Sequence, residues 1–187
     1  MSALQKLTYP EVKSHYEGLR HTSRLAAHKG LAAVMSNRRK EGILKNNITL
    51  SGFTTECQRE LLKWEIVDSR RTAWNWDVVQ KKYRAHPKRF ELAVWYRKHQ
   101  MCGASIGKPT CHGGKLRLDF LESAPQGTPL DGLITDIVIS AGVTYARLIG
   151  ATQLRIMKPV NEQVKNYYLS RPGFSYDTRG NFCYRDL

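Results

Sequence analysis

Lys81, Lys82, Arg84, His86, Lys88 and Arg89 crowd into nine residues just after Trp74 and Trp76, with Arg70 and Arg71 ahead of them. Cations interleaved with aromatics suit one kind of chemistry: phosphates neutralise the charge and exposed rings stack on bases. Arg70, Arg71, Lys81, Lys82, Arg84, Lys88 and Arg89 are therefore candidate nucleic-acid contacts. The competing reading leaves the lysines on a solvated helix face and packs both tryptophans in the core, and for the tryptophans the core is the expectation. Arg38, Arg39 and Lys40 add to the basic surface without specifying a ligand.

The whole chain has 187 residues and a formal net charge of +14. Residues 1–100 hold 20 Lys/Arg against 9 Asp/Glu, and residues 101–187 hold 10 against 7, so the excess is mainly N-terminal. Such a surface attracts phosphates at long range. The four cysteines, Cys57, Cys102, Cys111 and Cys183, form no CxxC pair and read as reduced thiols. Cys111-His112 has only glycines beside it, where a zinc site needs three or four ligands, so a turn is expected and no metal. The longest apolar stretches, such as Ile134 to Ala141, are broken by polar positions well short of the roughly 20 residues a membrane helix needs. The N-terminus has no secretory apolar run. A cytoplasmic protein without a membrane partner is expected.

The elements that must position any site follow from spacing. Thr8-Tyr9-Pro10-Glu11 fits a capping box, opening a helix through Leu25, Leu31 and Val34 to the basic run, with breaks allowed at Gly18 or Gly30. Thr55-Glu56-Cys57-Gln58 repeats the capping logic before Leu61, Leu62 and Ile66. Val78, Val79 and Tyr83 mark a short helix ending before Pro87. Phe90 to Lys98 alternates as a strand, and His99-Gln100 turns it back into Met101 to Ile106. Leu116, Leu118 and Phe120 alternate with Arg117, Asp119 and Leu121 in a strand that ends at Glu122-Ser123-Ala124-Pro125. Ile134, Ile137, Val138, Ala141, Tyr145 and Leu148 recur at helical steps up to Gly150. Thr152 to Lys158 reads as a strand and Val160 to Ser170 as a helix. An α/β (α+β) fold in one domain, residues 1–187, is expected, with a mainly helical basic part, 1–89, and a core, 90–187.

This order, with Arg147-Leu-Ile-Gly-Ala-Thr-Gln-Leu-Arg-Ile156, then Asn161, Tyr168 and Gly173-Phe174, resembles the GNAT superfamily of N-acyltransferases. The resemblance implies a mixed, mostly antiparallel central sheet flanked by helices, with acetyl-coenzyme A bound between two splayed central strands. The family's pyrophosphate loop is present only in fragments, as Gln126-Gly127-Thr128-Pro129-Leu130-Asp131-Gly132-Leu133-Ile134-Thr135. Its physics still operates, because free amides at a helix start bind phosphate and Gly127 and Gly132 permit close approach. Asp131 must then point away. One extra residue, made by Arg171-Pro172, lies between Tyr168 and Gly173.

Carried over from the family, the backbone of Leu121, Glu122, Ser123 and Ala124 faces the thioester. Glu122 is the general base, Tyr168 protonates the thiolate, and Asn161 holds the splayed strand end. Gly127, Gly132 and Leu133 complete the coenzyme site. Glu122 also has a plain reading as a solvated strand-end charge. Asp119 is the alternate base, placed on the opposite face from Glu122 by parity unless a bulge intervenes. Three functions stay open: acetylation of an amine carried by nucleic acid, such as an aminoacyl-tRNA or a DNA base; acetylation of a small amine or protein; and non-catalytic nucleic-acid binding on the same fold.

Overall fold

The structure is a computed structural model that describes residues 7–37 and 42–187. Arg38, Arg39 and Lys40 lie outside the described residues. In chain order the elements are α1 (Tyr9–Asn37), a 3-10 turn (Lys45–Asn47), β1 (Ile48–Ser51), α2 (Thr55–Trp64), α3 (Trp76–Arg84), β2 (Phe90–Tyr96), β3 (Gln100–Pro109) and β4 (Lys115–Ser123). Then come α4 (Ile134–Leu148), β5 (Gln153–Met157), α5 (Glu162–Leu169), β6 (Ser175–Asp177) and β7 (Phe182–Asp186). The strands form one sheet in the order β1-β2-β3-β4-β5-β7-β6. Among the described residues only β4 and β5 run parallel; every other pairing is antiparallel.

Two helical layers cover the two faces. On one face α1, α4 and α5 meet Phe90, Leu92, Val94, Leu116, Leu118, Leu154 and Ile156; on the other α2 and α3 meet Ala93, Trp95, Met101, Ala104 and Ile106. β2 lies under both layers, which is why all seven of its residues are buried despite their alternation. Trp64 and Trp76 are fully inside the second core, as expected for Trp76. Burying a large apolar side chain contributes about 1.5–3 kcal/mol, so these indoles fix α2 and α3 to the sheet.

α1 runs unbroken through Gly18 and Gly30. Its buried stripe is Tyr16, Arg20, Ser23, Ala27, Leu31 and Met35, at steps of three and four, while Leu25 is 51% exposed. Arg20 is buried because its guanidinium donates to the carbonyls of Pro87 and Arg89 at 2.8 and 2.9 Å. Glu11 accepts from the Thr8 amide at 2.7 Å, the backward half of the expected capping box. α2 is capped by Thr54, one residue before the expected position, through a 3.2 Å bond from the Cys57 amide. It stops at Trp64, leaving Ile66 84% exposed. No helix among the described residues is long and apolar enough to cross a membrane.

Candidate active site

β4 and β5 pair from Lys115↔Gln153 to Leu118↔Ile156 and then separate. The cause lies on the other side of β4, where Gly107 pairs with Leu118 and Ile106 with Phe120, so Asp119 is an unpaired bulge. A bulge bends its strand and reverses the facing of the residues beyond it. Leu116 and Leu118 therefore face α4, while Phe120 packs against the α2–α3 core. Gly107 makes this possible: a Cβ there would sit 1.9 Å from the Arg117 carbonyl oxygen. Beyond the bulge the strands leave a cleft of about 460 Å³.

One wall of the cleft offers backbone donors. Ala124 N–H donates to the Cys102 carbonyl at 2.9 Å, and strand alternation then turns the N–H groups of Leu121 and Ser123 away from β3 into the gap. Gly132 (φ 82°) leads into α4, whose first turn has no side-chain cap and whose Ile134 and Thr135 line the cleft. Asp131 also lines this end of the cleft, contrary to the expectation that it points away, with its Oδ1 accepting from the Thr128 hydroxyl at 3.4 Å. Tyr168 lies across the gap with its ring in the core, and its hydroxyl has no hydrogen-bond partner among the described residues. Burial raises its pKa well above the ordinary value of 10, so it keeps its proton.

The opposite wall carries carboxylates. Glu122, 6% exposed, accepts from Arg70 Nε at 2.8 Å, Arg70 Nη2 at 3.0 Å and Trp76 Nε1 at 2.7 Å. Donation to the Glu122 carboxylate raises the Arg70 pKa further, and the two form an ion pair. Ser69 Oγ donates to the Pro125 carbonyl at 3.0 Å and completes the attachment of the α2–α3 connection to the end of β4. Asp119, at the bulge, accepts from the Tyr83 hydroxyl at 2.6 Å and from Arg117 Nε at 2.9 Å. The bulge thus puts Asp119 on the same side as Glu122, against simple parity.

Among the residues expected from sequence, Leu121, Glu122, Ser123, Gly132 and Tyr168 come together around the cleft. Ala124 and Leu133 are buried in the two cores instead, and Gly127 (φ 79°) shapes the loop without lining the cleft. Asn161 caps α5, its Oδ1 accepting from the Val164 amide at 2.9 Å. Two expected nucleic-acid contacts need correction. Arg70 is committed to Glu122 and Arg89 to Glu91 at 2.6 Å, both within the fold, whereas Arg71, Lys81, Lys82, Arg84 and Lys88 are exposed. Sequence reading missed Tyr83 and Arg117 as partners of the site. Among the described residues no group of three His, Cys, Asp or Glu is placed to hold a metal.

A parallel pair of central strands that part at a bulge, with an uncapped helix start at the open end, is a distinctive geometry, and comparison with known proteins bears on it. No protein-family model matches the sequence, and no curated protein matches it. Solved structures do. Spermidine N-acetyltransferase from Vibrio cholerae in complex with CoA and spermine aligns over 75% of this chain and 96% of its own, with a TM-score of 0.57 at 10% identity. A GNAT-family acetyltransferase from Staphylococcus aureus Mu50 aligns over 75% and 99%, with a TM-score of 0.57 at 12% identity. Ard1 from Thermoplasma volcanium aligns over 75% and 98%, with a TM-score of 0.55 at 12% identity. The chain has the GNAT acetyltransferase fold.

The residues of this GNAT-fold cleft suit coenzyme A on their own chemistry. The helix-start amides of Ile134 and Thr135 suit an anion, and the Leu121 and Ser123 amides suit an amide-containing arm. The gap between β4 and β5 accommodates such an arm without displacing a sheet partner.

Proposed function

We propose that this chain transfers an acetyl group from acetyl-coenzyme A to an amine. The observation that carries the reading is the placement of Asp119 and Tyr168 on opposite faces of the point where β4 and β5 part. A proton acceptor on one side and a protonated phenol on the other is what amine acylation by a thioester requires.

Bound acetyl-coenzyme A supplies an activated acyl carbon and a thiolate leaving group. The amides of Ile134 and Thr135, with the α4 dipole, hold its diphosphate at the open end of the gap. The Ser123 and Leu121 amides lie along the way inward, and the Leu121 amide, nearer the vertex, stabilises negative charge on the acyl oxygen. Asp119 accepts the proton of the attacking amine. Tyr168 gives its phenolic proton to the sulfur. Glu122, which like Asp119 accepts from three donors, clamps Arg70 and Trp76 and so holds the acceptor-side wall; it is the second carboxylate within reach of the amine.

Calorimetric titration with acetyl-coenzyme A tests the reading. Saturable binding, abolished by excess coenzyme A, supports it. A folded, nucleic-acid-free sample that binds neither molecule overturns it and leaves the non-catalytic binding protein.

A further inference from the structure

The second helical layer covers only part of its sheet face. Its core takes residues from β2 and β3, with Phe120 of β4 packed on it, but none from β5, β6 or β7. Over that remaining half no helix packs among the described residues. The register there places Lys108 opposite Arg117, Arg117 opposite Arg155, and Arg155 opposite Tyr184, which makes one row across β3, β4, β5 and β7. All four point to this side of the sheet, Lys108 beside the end of α3 and the others beyond it. Lys108 Nζ lies 5.6 Å from the Tyr83 ring centre on α3, Arg117 shares its face with Asp119, and Arg155 lies 4.2 Å over Phe182, whose ring meets Tyr184 at 6.0 Å.

Neighbouring strands are about 4.8 Å apart, so three cations stand within about 10 Å along a single line. Like charges directly opposite destabilise a sheet. Asp119 compensates Arg117, with which it forms an ion pair, but no acid on this face compensates the other two cations. Asp119 bonds Arg117 and Tyr83, Asp186 accepts from Gln153 at 2.8 Å, and Asp177 accepts from the Gly180 amide at 2.6 Å. Neither Lys108 nor Arg155 has a carboxylate within ion-pair distance among the described residues. Lys108 Nζ is instead 3.2 Å from His86 Nε2, and Lys82 adds a further positive charge beside that imidazole. Lys108 and Arg155, the two cations of the row without a carboxylate, suit an external polyanion.

We propose that this uncovered face, along the row Lys108–Arg117–Arg155–Tyr184, docks a single-stranded nucleic acid that carries the acceptor amine. Lys108 and Arg155 meet phosphates, Arg117 staying with Asp119, and Tyr184, half-buried at the end of the row, stacks on a base. The Arg117–Arg155 pair lies one step before the last β4–β5 pair, and the next residues on this side, Asp119 and Met157, line the cleft. A strand on the row therefore leads to the proton acceptor. That the bound strand carries the amine rests on the acetyltransferase reading; the docking surface does not.

The test is fluorescence anisotropy with a labelled 12-nucleotide single strand, DNA and RNA, over a salt series. The double variant Lys108→Gln/Arg155→Gln is expected to bind about tenfold or more weaker and to lower the slope of log affinity against log salt by about 1.4. Tyr184→Ala is expected to weaken the strand about tenfold and leave inorganic polyphosphate unaffected. The control Lys13→Gln/Lys29→Gln, with the same charge change on exposed α1 positions, is expected to bind as wild type. Equal losses in row and control variants overturn the proposal in favour of diffuse charge. Loss confined to Lys81→Gln/Lys82→Gln moves the surface to α3 and overturns it too, as does polyglutamate binding as tight as the oligonucleotide. Calorimetry with acetyl-coenzyme A on the same variants separates the two readings: coenzyme binding without oligonucleotide binding removes this surface alone.

Discussion

The hydroxyl of Tyr83 donates to Asp119 Oδ2 at 2.6 Å, tying α3 to the bulge at which β4 leaves β5. Two turns earlier on the same helix, the Trp76 indole donates to Glu122. Burial first, and then this bond to Asp119, push the Tyr83 pKa far above its ordinary value, so the phenol remains a donor. One helix therefore orients both carboxylates of this wall: Asp119 sits at the vertex, Glu122 nearer the mouth.

Asp119→Asn is expected to lower kcat by about 10²–10³-fold, with little change in KM for acetyl-coenzyme A, because general base catalysis contributes on that order. Glu122→Gln keeps an acceptor for Trp76 and is expected to lower kcat less than about tenfold. Steady-state kinetics of the two variants decide the assignment. The reverse order of losses transfers the proton to Glu122.

The buried Arg70–Glu122 pair carries a stability prediction. Removing one partner strands the other charge in the fold, at a cost of about 3–5 kcal/mol. Arg70→Ala and Glu122→Ala are each expected to lose this in urea unfolding, and the double variant much less than the sum. Single losses below about 1 kcal/mol mean that the pair behaves as a surface contact.

Much of this arrangement was legible in the sequence, and the failures share a cause. β2, β3, α4, β5 and α5 follow from hydrophobic period, and the glycine loop, Glu122 and Tyr168 follow from their order along the chain. From sequence Asp119 reads only as the alternate base, on the opposite face unless a bulge intervenes, because alternation is local and the bulge that breaks it depends on a backbone approach between Gly107 and Arg117. Arg70 read as a surface cation because nothing near it in sequence shows Glu122, its partner from a distant strand. The hairpin of β6 and β7 had a signal, Thr178-Arg179-Gly180-Asn181 between two short apolar runs, with Asn181 in the left-handed region at φ 50°.

Tyr168→Phe removes the proton donor and keeps the packing. It is expected to lower kcat about 10²-fold or more and leave acetyl-coenzyme A affinity unchanged. Because burial raises the Tyr168 pKa, the protonated form persists past pH 10, and the wild-type rate is not expected to fall between pH 8 and 10. A pH profile with a descending limb near 9 makes a different group the donor.

Gly107→Ala isolates the bulge itself. The added methyl meets backbone, the Arg117 carbonyl at 1.9 Å, which cannot move aside as a flexible side chain would. β3 and β4 must part or re-register there, and loss of the bulge returns β4 to simple alternation, which puts Asp119 and Glu122 on different faces. Stability is expected to fall by about 1–3 kcal/mol, the usual cost of overpacking. Activity is expected to fall further than stability explains, because the vertex that places Asp119 against Tyr168 is lost. Thermal unfolding and turnover measured on the same preparation check this, and a variant of reduced stability with unchanged kcat separates the bulge from the chemistry.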